Sequence, residues 1–173
     1  MQWTLSNRAD VKAAVLADRH YNRQKVGSRQ FVPPGRCIVL LSSDQRALWV
    51  SSWPFAEYVK HQWAGAWLCS CFRNESGHLS SELITQAVAV TRWRWGTAPS
   101  QGIVTFVDPT KVRRKRDWGR CYRRAGWHQV GYTKGGLVVL QQLPQEMPLP
   151  LPALGAQLPL FAEVKTGDQV WQP

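Results

Sequence analysis

Residues Leu79 to Trp95 are the longest stretch of helical periodicity in the chain, and they stand between two strand-like runs. Leu83, Ile84, Ala87, Val88 and Thr91 recur along one helix face, so the spacing predicts an amphipathic helix over 79–95, with Ser80 or Ser81 as its N-terminal cap. Before it, Ala66–Phe72 alternates and is rich in strand formers; after it, Gly102–Asp108 is an apolar run closed by Pro109. A helix set between two sheet strands makes this an α+β protein.

The flanking sequence completes the order. Asp10–Tyr21 reads as a first helix, with Val11, Val15 and Leu16 at helical spacing. Asn22–Gly35 is turn-rich and ends in Pro33-Pro34-Gly35, a loop. Cys37–Leu41 and Ala47–Trp53 form a hairpin around the turn 42–46, and a loop follows from Pro54 to Gly65. Asp117–Ala125 is a short helix stopped by Gly126, a glycine in the position just past a helix end. Trp127–Tyr132 and Gly136–Gln142 are two last strands around Lys134-Gly135-Gly136. The expected order is helix, two strands, strand, helix, strand, helix, two strands. Residues 1–143 form this body; 144–173 hold six prolines and no periodic element, and read as an extended tail.

Charge narrows the partners. The net charge is +11, and residues 1–143 carry 21 of the 22 Lys and Arg against 8 of the 11 Asp and Glu. A folded body this basic implies a polyanion, nucleic acid before membrane surface. Lys111, Arg113, Arg114, Lys115, Arg116, Arg120, Arg123 and Arg124 place eight cations within fourteen residues, opposed only by Asp117 and interleaved with Trp118. Such a run repels itself unless phosphates lie close, and phosphate contacts give affinity without sequence choice. The bland alternative is a solvated, solubilising loop. Among ten tryptophans some must be core, while Trp53, Phe55, Tyr58 and Trp63 are candidates to stack on a displaced base.

No apolar run approaches a membrane span, and Met1–Ser6 carries no secretory core, so no membrane partner and a cytoplasmic location are expected. Cys37, Cys69, Cys71 and Cys121 match neither a zinc spacing nor a disulfide scaffold. Cys69 and Cys71 alternate, so they are expected on one strand face as small hydrophobes. A set of Cys69, Cys71, His61 and His78 is the only metal arrangement worth weighing, and no metal is expected.

From Trp67 to Gln141 the chain resembles the core of GNAT-superfamily acyltransferases in element order. It also has their short helix ending in tyrosine, three residues and Gly-aromatic: Tyr122-Arg123-Arg124-Ala125-Gly126-Trp127. A narrower resemblance is to the phage Mom-like proteins that modify adenine in DNA. His20-Tyr21, Thr105-Phe106-Val107-Asp108 and Gly119–Trp127 carry it, over roughly half the chain; the basic insert 111–116 and the tail depart from it.

The resemblance implies a mixed, mostly antiparallel, splayed sheet flanked by helices, with acetyl-CoA or another acyl-CoA between the two middle strands. Its pyrophosphate would meet the start of the second helix, beside Arg73, Gly77, His78, Ser80 and Ser81, where free N–H groups favour an anion. Of the usual glycine-rich phosphate loop only Gly77 is present. Tyr122 would protonate the leaving thiolate, Asp108 or Glu75 would take the amine's proton, and His20 and Tyr21 would border the acceptor. The function so implied is transfer of an acyl-type group to an exocyclic base amine, adenine first, protecting DNA from restriction. The alternatives are an N-acetyltransferase acting on a protein or small-molecule amine, and a non-enzymatic DNA-binding protein on the same scaffold. In the tail, Gln157-Leu158-Pro159-Leu160-Phe161 resembles the peptide by which proteins bind the bacterial sliding clamp, with Gln157, Leu158, Leu160 and Phe161 as its contacts.

Overall fold

Helix α2 (Ser80–Trp95) crosses from strand β4 (Trp67–Asn74) to strand β5 (Ile103–Val107), and this crossover makes the two strands pair in parallel. The computed structural model describes residues 1–54, 62–112 and 117–157. The remaining elements are β1 (Trp3–Ser6), α1 (Val11–Asp18), β2 (Arg36–Ser42), β3 (Ala47–Trp53), α3 (Arg120–Arg124), β6 (His128–Tyr132) and β7 (Val138–Gln142). Seven strands run β1-β2-β3-β4-β5-β7-β6, antiparallel at every other junction, in an open α+β sheet. The sequence-predicted order holds with β1 added.

Alternation along β2 divides the interior between the sheet's two faces. Ile38 and Leu40 join Trp49, Trp67, α2 and Tyr122 on one face; Val39 and Leu41 join α1, Leu48 and Val50 on the other. The α1 stripe differs from the expected one: Leu16 is buried, but Val11 is 75% exposed and Val15 44%. Ala13 and Ala17, one turn apart, are the buried positions, because small side chains let the helix lie close on the sheet. Asp10 caps α1, accepting from the Lys12 and Ala13 amides. Helix α2 is different. Its N-cap position is Leu79 and no side chain caps it, so neither Ser80 nor Ser81 caps the helix: Ser80 Oγ instead accepts from Asn74 Nδ2 at 3.0 Å.

A β-bulge resets the alternation of β4. Val50 pairs with Cys71 but the next β3 residue, Ser51, pairs with Cys69, which leaves Ser70 as the extra residue. Cys69 therefore packs with Trp67 on the α2 face and Cys71 with α1 on the other. The expectation that both thiols share a face fails for this reason. Past the bulge, β4 and β5 separate. Their ladder has three rungs, Trp67↔Ile103, Leu68↔Val104 and Cys69↔Thr105, after which β4 runs on to Asn74 beside β3 and β5 runs on to Val107 beside β7.

The proline-rich segment after β7 is extended but docked. A 3-10 turn at Pro144–Glu146 leads into a strap. Arg92 donates to the Met147 and Pro148 carbonyls, Leu151 N–H to the Ala89 carbonyl, and Leu154 N–H to the Trp3 carbonyl. Met147 and Ala153 are buried in the main core, and Leu154 bridges Thr4 in parallel. The strap passes over Ala89, whose carbonyl accepts from Leu151, and Ala89 is buried although it lies off the predicted face of α2.

Candidate active site: a cleft where two parallel strands part

Where β4 and β5 diverge, the sheet opens into a cleft of about 820 Å³. Its wall includes His20, Tyr21, Arg73, Asn74, Ser80, Ser81, Lys111, Arg120, Tyr122 and Arg124. Helix α3 supplies Tyr122. Gly119, at φ +72°, turns the chain into that helix, and a Cβ there would stand 2.3 Å from Leu140 Cδ1. Gly126, at φ +83°, ends it. The Tyr122 ring is 8% exposed and packs edge-on against Phe72 and Trp127, at 6.1 and 5.2 Å between centroids. Its hydroxyl lies 3.5 Å from Cys69 Sγ. Thr105 Oγ1, which donates to the Cys69 carbonyl at 3.1 Å, also hydrogen-bonds the phenol. The phenol thus marks the last paired rung. Burial, with the neighbouring Cys69 and Cys121 thiols, holds its pKa well above the ordinary value. Burial likewise pushes the Cys69 thiol up, and that of Cys71 to about 12.

His20 is stacked on Tyr21 at 4.5 Å. Its pKa falls from 6.5 to about 4, first through burial and then through the nearby Arg73 charge, so the ring is neutral at neutral pH. Nδ1 accepts from the Asn22 amide at 3.3 Å, which assigns the ring proton to Nε2. Burial raises the Tyr21 phenol, while the Asp108 amide beside it acts in the opposite sense.

The two expected proton acceptors lie off the cleft wall. Glu75 accepts from Arg19 at 2.7 Å and Arg73 at 2.9 Å, ties the end of α1 to the end of β4, and is held below the usual carboxylate range by those guanidiniums against the cost of burial. Asp108 accepts from the Thr110 hydroxyl and amide, stands 3.8 Å from Lys111 Nζ, and is likewise lowered, chiefly by Thr110. Both carboxylates therefore serve as ion-pair and turn partners. Gly77 and His78 lie outside the cleft wall too, and a Cβ on Gly77 would meet nothing within 4 Å, so no close backbone approach requires glycine there.

The residue that sequence reasoning missed is Asn74. Its Nδ2 donates to the His78 carbonyl (2.9 Å) and Ser80 Oγ, and its Oδ1 accepts from the Ser76 amide (2.9 Å) and hydroxyl (2.6 Å). One amide therefore shapes the whole loop into α2. The signal was the polar Arg73-Asn74-Glu75 at the end of an apolar strand. The cleft rim is cationic: Arg73, Lys111, Arg120 and Arg124 stand there against Asp117, which is engaged by Arg123 and, at 4.0 Å, by Arg120. Arg113, Arg114, Lys115 and Arg116 lie outside the described residues, as do Phe55, Tyr58, His61, Leu158, Leu160 and Phe161. Trp53 and Trp63 do not present free faces for a base. Trp53 packs on Trp67 and Trp95 under the Arg36 guanidinium, and Trp63 is buried against Phe106. Among the described residues no group of three or more His, Cys, Asp or Glu is placed to hold a metal, and no helix is long and apolar enough to cross a membrane.

No family model matches the chain, and neither a curated protein nor a solved structure does.

Proposed function

We propose that the protein is a GNAT-type, Mom-like enzyme that transfers an acyl-type group to an exocyclic amine of a DNA base, adenine first, and so shields DNA from restriction. The observation that carries this reading is the parting of β4 and β5 after Cys69↔Thr105, with the Tyr122 hydroxyl at the fork and a cationic rim around it. A thioester donor such as acetyl-CoA supplies an activated acyl carbon when bound. The residues present suit its anionic end. The first-turn amides of α2 carry no side-chain cap, and Arg73, Lys111, Arg120 and Arg124 share the cleft with them.

In the transfer the amine nitrogen bonds to the acyl carbon, the carbon–sulfur bond breaks, and the sulfur leaves with the electron pair. Tyr122 stays protonated because its pKa is raised, so it donates a hydrogen bond to the negative charge growing on that sulfur. His20, neutral and with its proton on Nε2, orients an acceptor atom at the opposite lip. The amine's proton passes to water in the open cleft, since Glu75 and Asp108 are weak bases held in ion pairs.

The strap gives the tail peptide a fixed departure point. Gln157 is exposed directly after the docked Ala153–Ala156 turn, at the β1 edge. The proposed partner there is the bacterial sliding clamp. A peptide of residues 156–162 is expected to bind purified clamp and to lose binding on Phe161→Ala; no binding by the unaltered peptide removes the partner.

The function is tested by mass spectrometry of nucleosides from the DNA of cells expressing the protein. A new deoxynucleoside, absent when Tyr122→Phe is expressed, is the expected result. Unmodified DNA, together with no thermal stabilisation by acetyl-CoA or other acyl-CoAs, overturns the reading and leaves a basic binding module.

A further inference from the structure

On the opposite face of the sheet a second cavity, of about 480 Å³, lies beneath the loop joining α1 to β2. Its floor is Ser70 and Cys71, the bulged residue of β4 and its neighbour, immediately past the last β4–β5 rung. His20 lines this cavity and the larger cleft alike. The two therefore adjoin where the strands part.

The loop is held open by a defined bracket. Arg23, whose side chain is 9% exposed, donates to Asp18 at 2.6 Å, to the Gln30 carbonyl at 2.7 Å and to the Ser28 carbonyl. The second Asp18 oxygen accepts from the Gly27 amide at 2.9 Å. A largely buried, ion-paired guanidinium that bonds two carbonyls fixes the loop without drawing on the amide side chains of Asn22, Gln24 and Gln30, which line the cavity. Phe31 and Pro33 add flat apolar surface and Lys25 a cation, and among the described residues no carboxylate lines it.

We infer that this cavity receives a single nucleobase withdrawn from its strand, as the acceptor of the reaction proposed above, on which the inference rests. A base presents flat apolar faces, an edge of alternating donors and acceptors, and a flanking phosphate. Phe31 and Pro33, the three primary amides, and Lys25 answer these in turn. The volume lies within the range of small-ligand sites, about 300–1,000 Å³, and holds one nucleotide rather than a duplex. A base seated there reaches its reaction partner past His20.

The test is photocrosslinking of the full chain to a single-stranded oligonucleotide carrying one 8-azidoadenine, with the adduct mapped by peptide mass spectrometry and total affinity followed by fluorescence anisotropy. Adducts within 20–34 or at Ser70 and Cys71 are expected. The exposed-side-chain variant Gln24→Ala/Gln30→Ala should lower their yield about tenfold, a loss the size of one amide–base pair. Phosphate contacts carry much of the total affinity, so the yields of wild type and variant are compared at equal bound fraction, set by anisotropy. Adducts confined to 108–124 overturn the base pocket and leave the DNA-modification reading standing. No oligonucleotide binding at low salt overturns both.

Discussion

Acidification should weaken this fold first through one imidazole. In the folded chain His20 binds its proton with a pKa of about 4, against 6.5 for the exposed group. The depressed value means that the unfolded chain takes up the proton first. The stability it confers is complete above pH 6.5 and falls as pH drops towards 4. Each factor of ten in proton affinity corresponds to about 1.4 kcal/mol, so the whole effect is about 3 kcal/mol, of which about 2 kcal/mol is lost by pH 5. Asp10, Asp18, Asp44, Glu75 and Asp108 are all lowered, so their contributions begin to fade only as pH falls into the ordinary carboxylate range and continue to fade below it. Urea denaturation of the wild-type protein and of His20→Asn, from pH 7.5 to 4.5 at constant ionic strength, separates the two effects. The wild-type curve should fall between pH 6.5 and 5 while the variant stays nearly flat. Parallel curves over that interval would refute the burial argument for His20.

Three substitutions test other parts of the fold. Tyr122→Phe should shift stability by no more than about 1 kcal/mol, the size of one hydrogen bond, while DNA modification falls at least about a hundredfold, read by nucleoside mass spectrometry. Gly119→Ala places a Cβ 2.3 Å from Leu140 Cδ1 at φ +72° and should cost about 2–4 kcal/mol in chemical denaturation. Asp10→Ala removes the cap of α1 and should cost about 1 kcal/mol by the same measurement.

Most of the sheet was legible because its strands are apolar, regularly spaced and bounded by Pro, Gly and polar turns. What escaped was set by tertiary pairing. In β1 only Trp3 is fully buried, its indole donating to the Leu83 carbonyl, while Leu5 faces outward, so four residues give no alternation to read. The bulge at Ser70 has no glycine to announce it and is fixed by what β3 presents across the ladder. Of the candidate site, Tyr122, His20 and Arg73 were legible from motif and position, and the structure brings them to one cleft. Glu75 and Asp108 were misplaced because a carboxylate at a strand end is compatible with a site or with an ion pair, and only the positions of Arg19 and Thr110 decide between them. Asn74 was hidden because its role lies in bonds to residues two to six positions on.

The strap also bears on synthesis. Among the described residues, strand β1 has β2 on one side and, on the other, the single bridge from Thr4 to Leu154. A nascent chain can assemble every strand while residue 154 is still inside the ribosome, and during that interval the Trp3–Ser6 edge lies bare, open to pairing with another chain.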